Sequence, residues 1–230
     1  TVGFTGYGGK HHIGPEFQLG HLVGEAYDEP VLLIKTAWGG KSIHKDFRPP
    51  SSGGVTGEFY QKMLAEYREG LANLGDEFPQ LAKHKPELSG FVWFQGWNDM
   101  YNGFQDEYAV NMKNFIRDVR KDLAKPNLPF AIGIMGQNGF APAKGNMAIV
   151  KAAQASMNDV PEFAGNVRAI PTDVYWDKRA DAAFPTWRDN VAEWEKLGSD
   201  FPYHYLGSTI TFTKIGRALG QAILELRGGK

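Results

Sequence analysis

The sequence predicts an open three-layer α/β/α sandwich, a central, mostly parallel sheet with helices on both faces. Short, nearly continuous apolar runs alternate with stretches of helical periodicity. Parallel strands covered on both faces read this way because neither face meets water. At 230 residues, with 42% hydrophobic and 22% charged residues, the chain is long enough for one well-buried domain. No internal repeat, low-complexity tract or linker divides it.

The first helical stretch, about Pro15 to Tyr27, opens with Gly14-Pro15-Glu16. Proline suits a first turn, and an acid there meets the positive end of the helix dipole. A strand follows in "PVLLIKTAW" from Pro30, then the longest irregular segment, "GGKSIHKDFRPPSSGGVTG". It leaves the carboxyl end of a strand, where open parallel sheets bind ligands. Gly57 to Leu74 reads as the second helix and "GFVWFQG" from Gly90 as the second strand. Next come a helix at Asp106 to Leu123, a strand in "LPFAIGIMG" from Leu128 and a helix at Asn146 to Met157. The strand "NVRAIPTD" from Asn166 and helices at Pro185 to Lys196 and Thr211 to Leu226 complete the series. Right-handed crossovers would join the strands.

Lys+Arg 25 against Asp+Glu 26 gives a net charge of -1, so no bulk field draws the chain to nucleic acid or an anionic membrane. A small or neutral partner fits better. The absence of cysteine excludes disulfides, thiolate nucleophiles and Cys-based metal sites. No apolar run approaches the roughly 18 residues that span a bilayer. The opening "TVGFTGYGGK" lacks both the pattern of a signal peptide and an initiator Met, and the expectation is that the sequence begins inside a longer precursor.

Gly40-Lys41-Ser42 matches the end of a phosphate-binding loop. The match fails because the first glycine of that motif would fall on Lys35, and Pro49-Pro50 follows where a helix should open. Gly39-Gly40 reads either as a tight turn with positive φ or as backbone N–H groups turned to a site that side chains would block. In "FVWFQGWND" a greasy strand ends in Gln95, Asn98 and Asp99. Gln95 and Asn98 are neutral donors able to hold an oxyanion or, equally, to cap the loop around Trp97. Trp97 is either a lid over the core or a stacking surface for a sugar ring. His204 precedes the terminal helix with Asp200 four residues upstream, and a general-base histidine needs such an acceptor at Nδ1. His11 and His12, with Glu16, suggest a metal site, but adjacent histidines splay apart and do not share an ion.

Together these residues resemble the SGNH-type hydrolases, specifically the sialate O-acetylesterase-like carbohydrate esterases. "LLIKTAWGGKSI" is similar to the family's second block, in which a glycine N–H helps form the oxyanion hole. "WFQGWND" resembles its third block, usually W-x-Q-G-E, and also the wider superfamily's G-x-N-D through Gly96, Asn98 and Asp99. "YHYLGSTITFTKIGRALGQAIL" resembles the last block with its catalytic histidine, and "IGPEFQLG" and "KAAQ" at Lys151 to Gln154 also look like family segments. The resemblance implies a single flavodoxin-like domain and a carbohydrate O-acetylesterase that uses no metal or organic cofactor. His204 would be the general base, Asp200 its orienter, Gly40 with Gln95 or Asn98 the oxyanion donors, and Trp97 a substrate contact. It also implies exported life, extracellular or periplasmic.

This chain departs from the family pattern at three places. Asp200 and His204 have three residues between them where the family has two, and Trp97 stands where a glutamate usually follows Gln-Gly. The serine block, G-Q-S-N or G-D-S, is missing; Ser42, Ser51, Ser52, Ser89, Ser156, Ser199 and Ser208 all lie in other settings. In a flavodoxin-like order the first strand runs between the second and third. Without it a gap of about 9.6 Å, two inter-strand spacings, would split the sheet and leave backbone groups unpaired. The expectation is that a segment upstream of Thr1, either continuous with this chain or cleaved yet still associated as an N-terminal fragment of the same precursor, supplies that strand and the serine. The alternative, "TVGFTGYGG" as the central strand, is weakened by its glycines. A rival function is a non-catalytic carbohydrate-binding homologue in which Trp97, Tyr101 and neighbouring aromatics stack on sugars.

Overall fold

A computed structural model describes residues 13–228. The segment "TVGFTGYGG" and the pair His11 and His12 lie outside the described residues. The helices are α1 (Pro15–Glu25), α2 (Glu58–Ala72), α3 (Leu74–Glu77), α4 (Tyr108–Asp122), α5 (Gly145–Ala155), α6 (Lys178–Ala183), α7 (Val191–Trp194) and α8 (Thr209–Leu226). The strands are β1 (Phe91–Trp93), β2 (Phe130–Ile134) and β3 (Val167–Pro171), in that order across a parallel three-stranded sheet. This is the expected α/β sandwich.

Period-2 alternation sorts the strand side chains between two layers. Phe91, Trp93, Phe130, Ile132, Ile134, Val167 and Ala169 meet α2, α4 and α5 in one core. Val92, Ala131 and Ile170 face the second core, built with α1 and α8 from Leu19, Val23, Ile215 and Leu219. All five residues of β2 are buried, which explains their unbroken apolar run. Pro15 occupies the first turn of α1 as expected. The helix expected over Pro185 to Lys196 is instead divided. Phe184–Thr186 form a 3-10 turn, and helical structure resumes only at Val191.

The expected strand at Pro30 departs from expectation more consequentially. Leu33 packs toward Gly20 of α1 and Ile34 toward Gly70 of α2, so consecutive side chains reach opposite helical layers, as in a strand. Yet among the described residues no backbone hydrogen bond involves Val31 to Ala37, and Val31, Leu32 and Leu33 are exposed. Among the described residues β1 pairs with β2 alone, leaving its other edge open. The segment therefore has strand composition and strand placement without a ladder to any described residue.

Candidate active site

The loop after residue 38 and the turn after β1 are held together by one buried carboxylate. Gly96 lets the chain turn because a Cβ there would stand 2.8 Å from Gln154 Nε2 and 2.9 Å from Met135 Sδ. The following 3-10 helix, Trp97–Met100, drives Asp99 inward until it is fully buried. Its Oδ2 accepts from Ile43 N at 3.0 Å and Gln95 Nε2 at 2.6 Å, and its Oδ1 from His44 N at 3.0 Å. Burial pushes the Asp99 carboxyl above the usual carboxylate range, against the pull of those three donors.

Gln95 belongs to this clamp. Its amide donates to Lys41 O at 2.8 Å as well as to Asp99, and its Oε1 accepts from Tyr108 Oη at 3.2 Å. Gln154 ties the same network to β2, donating to Gln95 O and accepting from Met135 N. Both amide hydrogens of Gln95 are thus committed, which sets it apart from Asn98 as an oxyanion donor. Asn98 makes no side-chain hydrogen bond among the described residues, and its Nδ2 lies 3.6 Å from where a Cβ on Gly40 would stand. Gly40 itself has φ +70°, a conformation natural to glycine. Gly40, Ser42, Asp46, Asn98, Tyr101 and Phe104 line a cleft of ≈ 380 Å³. Ser42 is not a free nucleophile there: nearly buried, its Oγ donates to Asp46 Oδ2 and accepts from Lys45 N.

The second half of the site is the loop before α8. His204 Nδ1 lies 3.1 Å from Asp200 Oδ2, so the two side chains meet despite the longer spacing. Tyr205, Leu206 and Gly207 all take left-handed φ, at 56°, 59° and 60°. Two bulky residues in that region are strained, and the surroundings must hold them there. The Tyr205 ring packs against Phe94, Trp176 and Phe212. Its hydroxyl accepts from Gly136 N at 2.8 Å and bonds Thr172 Oγ1 at 3.0 Å. Leu206 O accepts from Ser199 N and Asp200 N, drawing the acid's backbone back toward the histidine. Ser208 caps α8 and donates to buried Asp177 at 2.9 Å.

Trp97 joins the halves. Its ring lies 5.9 Å from that of Tyr203, which packs edge-on to His204 at 4.6 Å, and 6.5 Å from that of Tyr101 at the cleft. The structure therefore gathers Gly40, Asn98, Trp97, Asp200 and His204 along the carboxyl edge of the sheet and assigns Gln95 to bracing. Sequence reasoning missed the roles of Asp99, Gln154, Tyr203 and Tyr205. A polar residue next to a strand end was the available signal for Asp99; nothing local announces the others.

A family profile described as "Carbohydrate esterase, sialic acid-specific acetylesterase" matches residues 5–175. Among solved structures, an X-ray structure of a protein from Arabidopsis thaliana is similar, with TM-score 0.63 and 20% identity over 95% of this chain and 71% of that one. At that identity the likeness concerns the fold. No curated protein matches.

Proposed function

Because this chain belongs to the carbohydrate esterase family of sialic acid-specific acetylesterases, a family of hydrolases, we propose that it removes O-acetyl groups from acetylated carbohydrate through an acetyl-enzyme. The observation that carries the reading is the pairing of His204 with Asp200 on the same sheet edge as the uncommitted amide of Asn98 beside Gly40. A serine Oγ attacks the acetyl carbonyl while His204 Nε2 takes its proton, and Asp200 holds the imidazole through Nδ1. Gly40 N–H and the Asn98 amide hold the oxyanion. Collapse expels the sugar hydroxyl, which receives the proton from His204. Water then enters by the same proton route, releasing acetate and restoring the serine.

The serine is supplied by a strand that occupies the space between residues 30–38 and β1. Two facts about the described residues support this placement: none of them makes a backbone hydrogen bond with Val31 to Ala37, and none pairs with the near edge of β1. Such a strand would pair with both and end near Gly40 and Gly96.

A fluorophosphonate that labels activated serines tests the proposal on the polypeptide as encoded by its gene. Labelling of a serine other than the seven in this sequence, abolished by His204→Ala, is expected. Labelling of Ser42 or another of the seven, or no labelling, would overturn it.

A further inference from the structure

Four aromatic side chains form an unbroken run across the site. Phe201 and Tyr203 stack in parallel, 5.4 Å apart and inclined by 5°. Tyr203 continues to Trp97 at 5.9 Å, and Trp97 to Tyr101 at 6.5 Å. Tyr101, Tyr203 and Phe201 remain 51%, 40% and 41% exposed. A contiguous apolar surface of this kind is kept open to water where it binds something. The run starts at the cleft, which Tyr101 lines, passes beside His204 through Tyr203 and continues to Phe201.

We propose that this run is a binding track for a chain of neutral sugars, so that the acetylated substrate is an oligosaccharide or polysaccharide and not a single sugar. The inference rests on the esterase reading for the position of the reacting acetyl group, and on the rings alone for the track. The apolar C–H faces of pyranose rings pack on aromatic faces, and the step from ring to ring is close to the length of one sugar unit. One sugar would cover Trp97 and Tyr101 beside the cleft. Tyr203 and Phe201 would then be left open unless further units followed. None of the four side chains is cationic, so the rings themselves carry no charge to pair with the carboxylate of an acidic sugar; Lys45 lines the cleft at the start of the run and not the run itself. The tilts of 47° and 59° at Trp97 describe a twisted track, suited to a chain whose successive units turn.

The test is titration of the protein with xylo-, cello- and manno-oligosaccharides of one to four units, followed by calorimetry. At least one series should gain about tenfold or more in affinity from one unit to three, since each added stacking contact contributes on that order. Tyr203→Ala and Tyr101→Ala should each flatten that rise, with circular dichroism confirming an intact fold. Equal affinity at every length, no binding in any series, or a rise that survives both substitutions would overturn the track. Acetate release from a small acetyl ester is measured in parallel, both assays using the polypeptide as encoded by its gene. Turnover without length dependence sinks the track alone, and length-dependent binding without turnover sinks the esterase alone.

Discussion

Replacing Asp99 by alanine should loosen the cleft by removing the clamp between two loops 55 residues apart in sequence. Three donors lose their acceptor: the buried Ile43 N–H, the partly buried His44 N–H and one hydrogen of the Gln95 amide. An orphaned buried donor costs about 1–3 kcal/mol. Water can reach His44, and Gln95 keeps Lys41 O, so only Ile43 bears the full penalty. Adding the lost bonds to a charged acceptor, and subtracting relief from burying a carboxylate, leaves about 3 kcal/mol. In a chain of this length that lowers Tm by about 6–12 °C, read by calorimetry. The pH dependence has a definite sign. The folded-state pKa of Asp99 is raised, so the folded form binds protons more readily than the unfolded form above the ordinary value of 3.8. The stability that Asp99 contributes is therefore fully present below that value and diminishes as pH rises through the raised one. An unchanged Tm, or a gap between the two proteins that widens as pH rises, would refute the clamp.

Asn98→Ala should lower kcat by about 10²–10³, the loss of one oxyanion donor, with little change in Tm. Gln95→Ala should do the reverse in emphasis, lowering Tm through Lys41, Asp99 and Tyr108; equal kcat losses with equal Tm would contradict the distinct roles. Tyr205→Phe leaves the Gly136 N–H without its acceptor and should destabilise by about 1–3 kcal/mol, with a shift in the His204 imidazole NMR signals; unaltered signals would mean that Tyr205 does not hold the histidine loop. Burial pushes the hydroxyls of Tyr60, Tyr108 and Tyr205 above their ordinary 10.0. Stability from these groups is full below pH 10 and lost as pH rises beyond it, so phenolate absorbance from them should appear only with unfolding. Their titration in the folded protein would contradict that burial.

Where a segment's fate depends on its own pattern, the sequence was legible. The short, nearly continuous apolar runs of β1 to β3, the amphipathic run of α8 and the proline opening α1 all fold as their patterns predict. Composition could not tell that Val31 to Ala37 makes no ladder with the described residues, because a strand is defined by its neighbours. The expected helix at Pro185 ignored the turn closed by Asp189 N onto Thr186 O. In the site, Gln95 and Asn98 look alike as amides, and only the positions of Lys41 and Asp99 separate brace from donor. The Asp200 and His204 pair was visible as two residue types. Their meeting depends on left-handed Tyr205 and Leu206, conformations that no propensity assigns to tyrosine or leucine. The aromatic run was half visible in Trp97 and Tyr101, while Tyr203 arrives from 106 residues beyond Trp97 through tertiary packing.

The most direct measurement is acetate release from an acetylated oligosaccharide by the polypeptide as its gene encodes it, compared with His204→Ala and Asp200→Asn. The account predicts turnover that His204→Ala nearly abolishes and that Asp200→Asn lowers by up to about 10⁴, with all three proteins folded. Undiminished acetate release by a folded His204→Ala protein would contradict it.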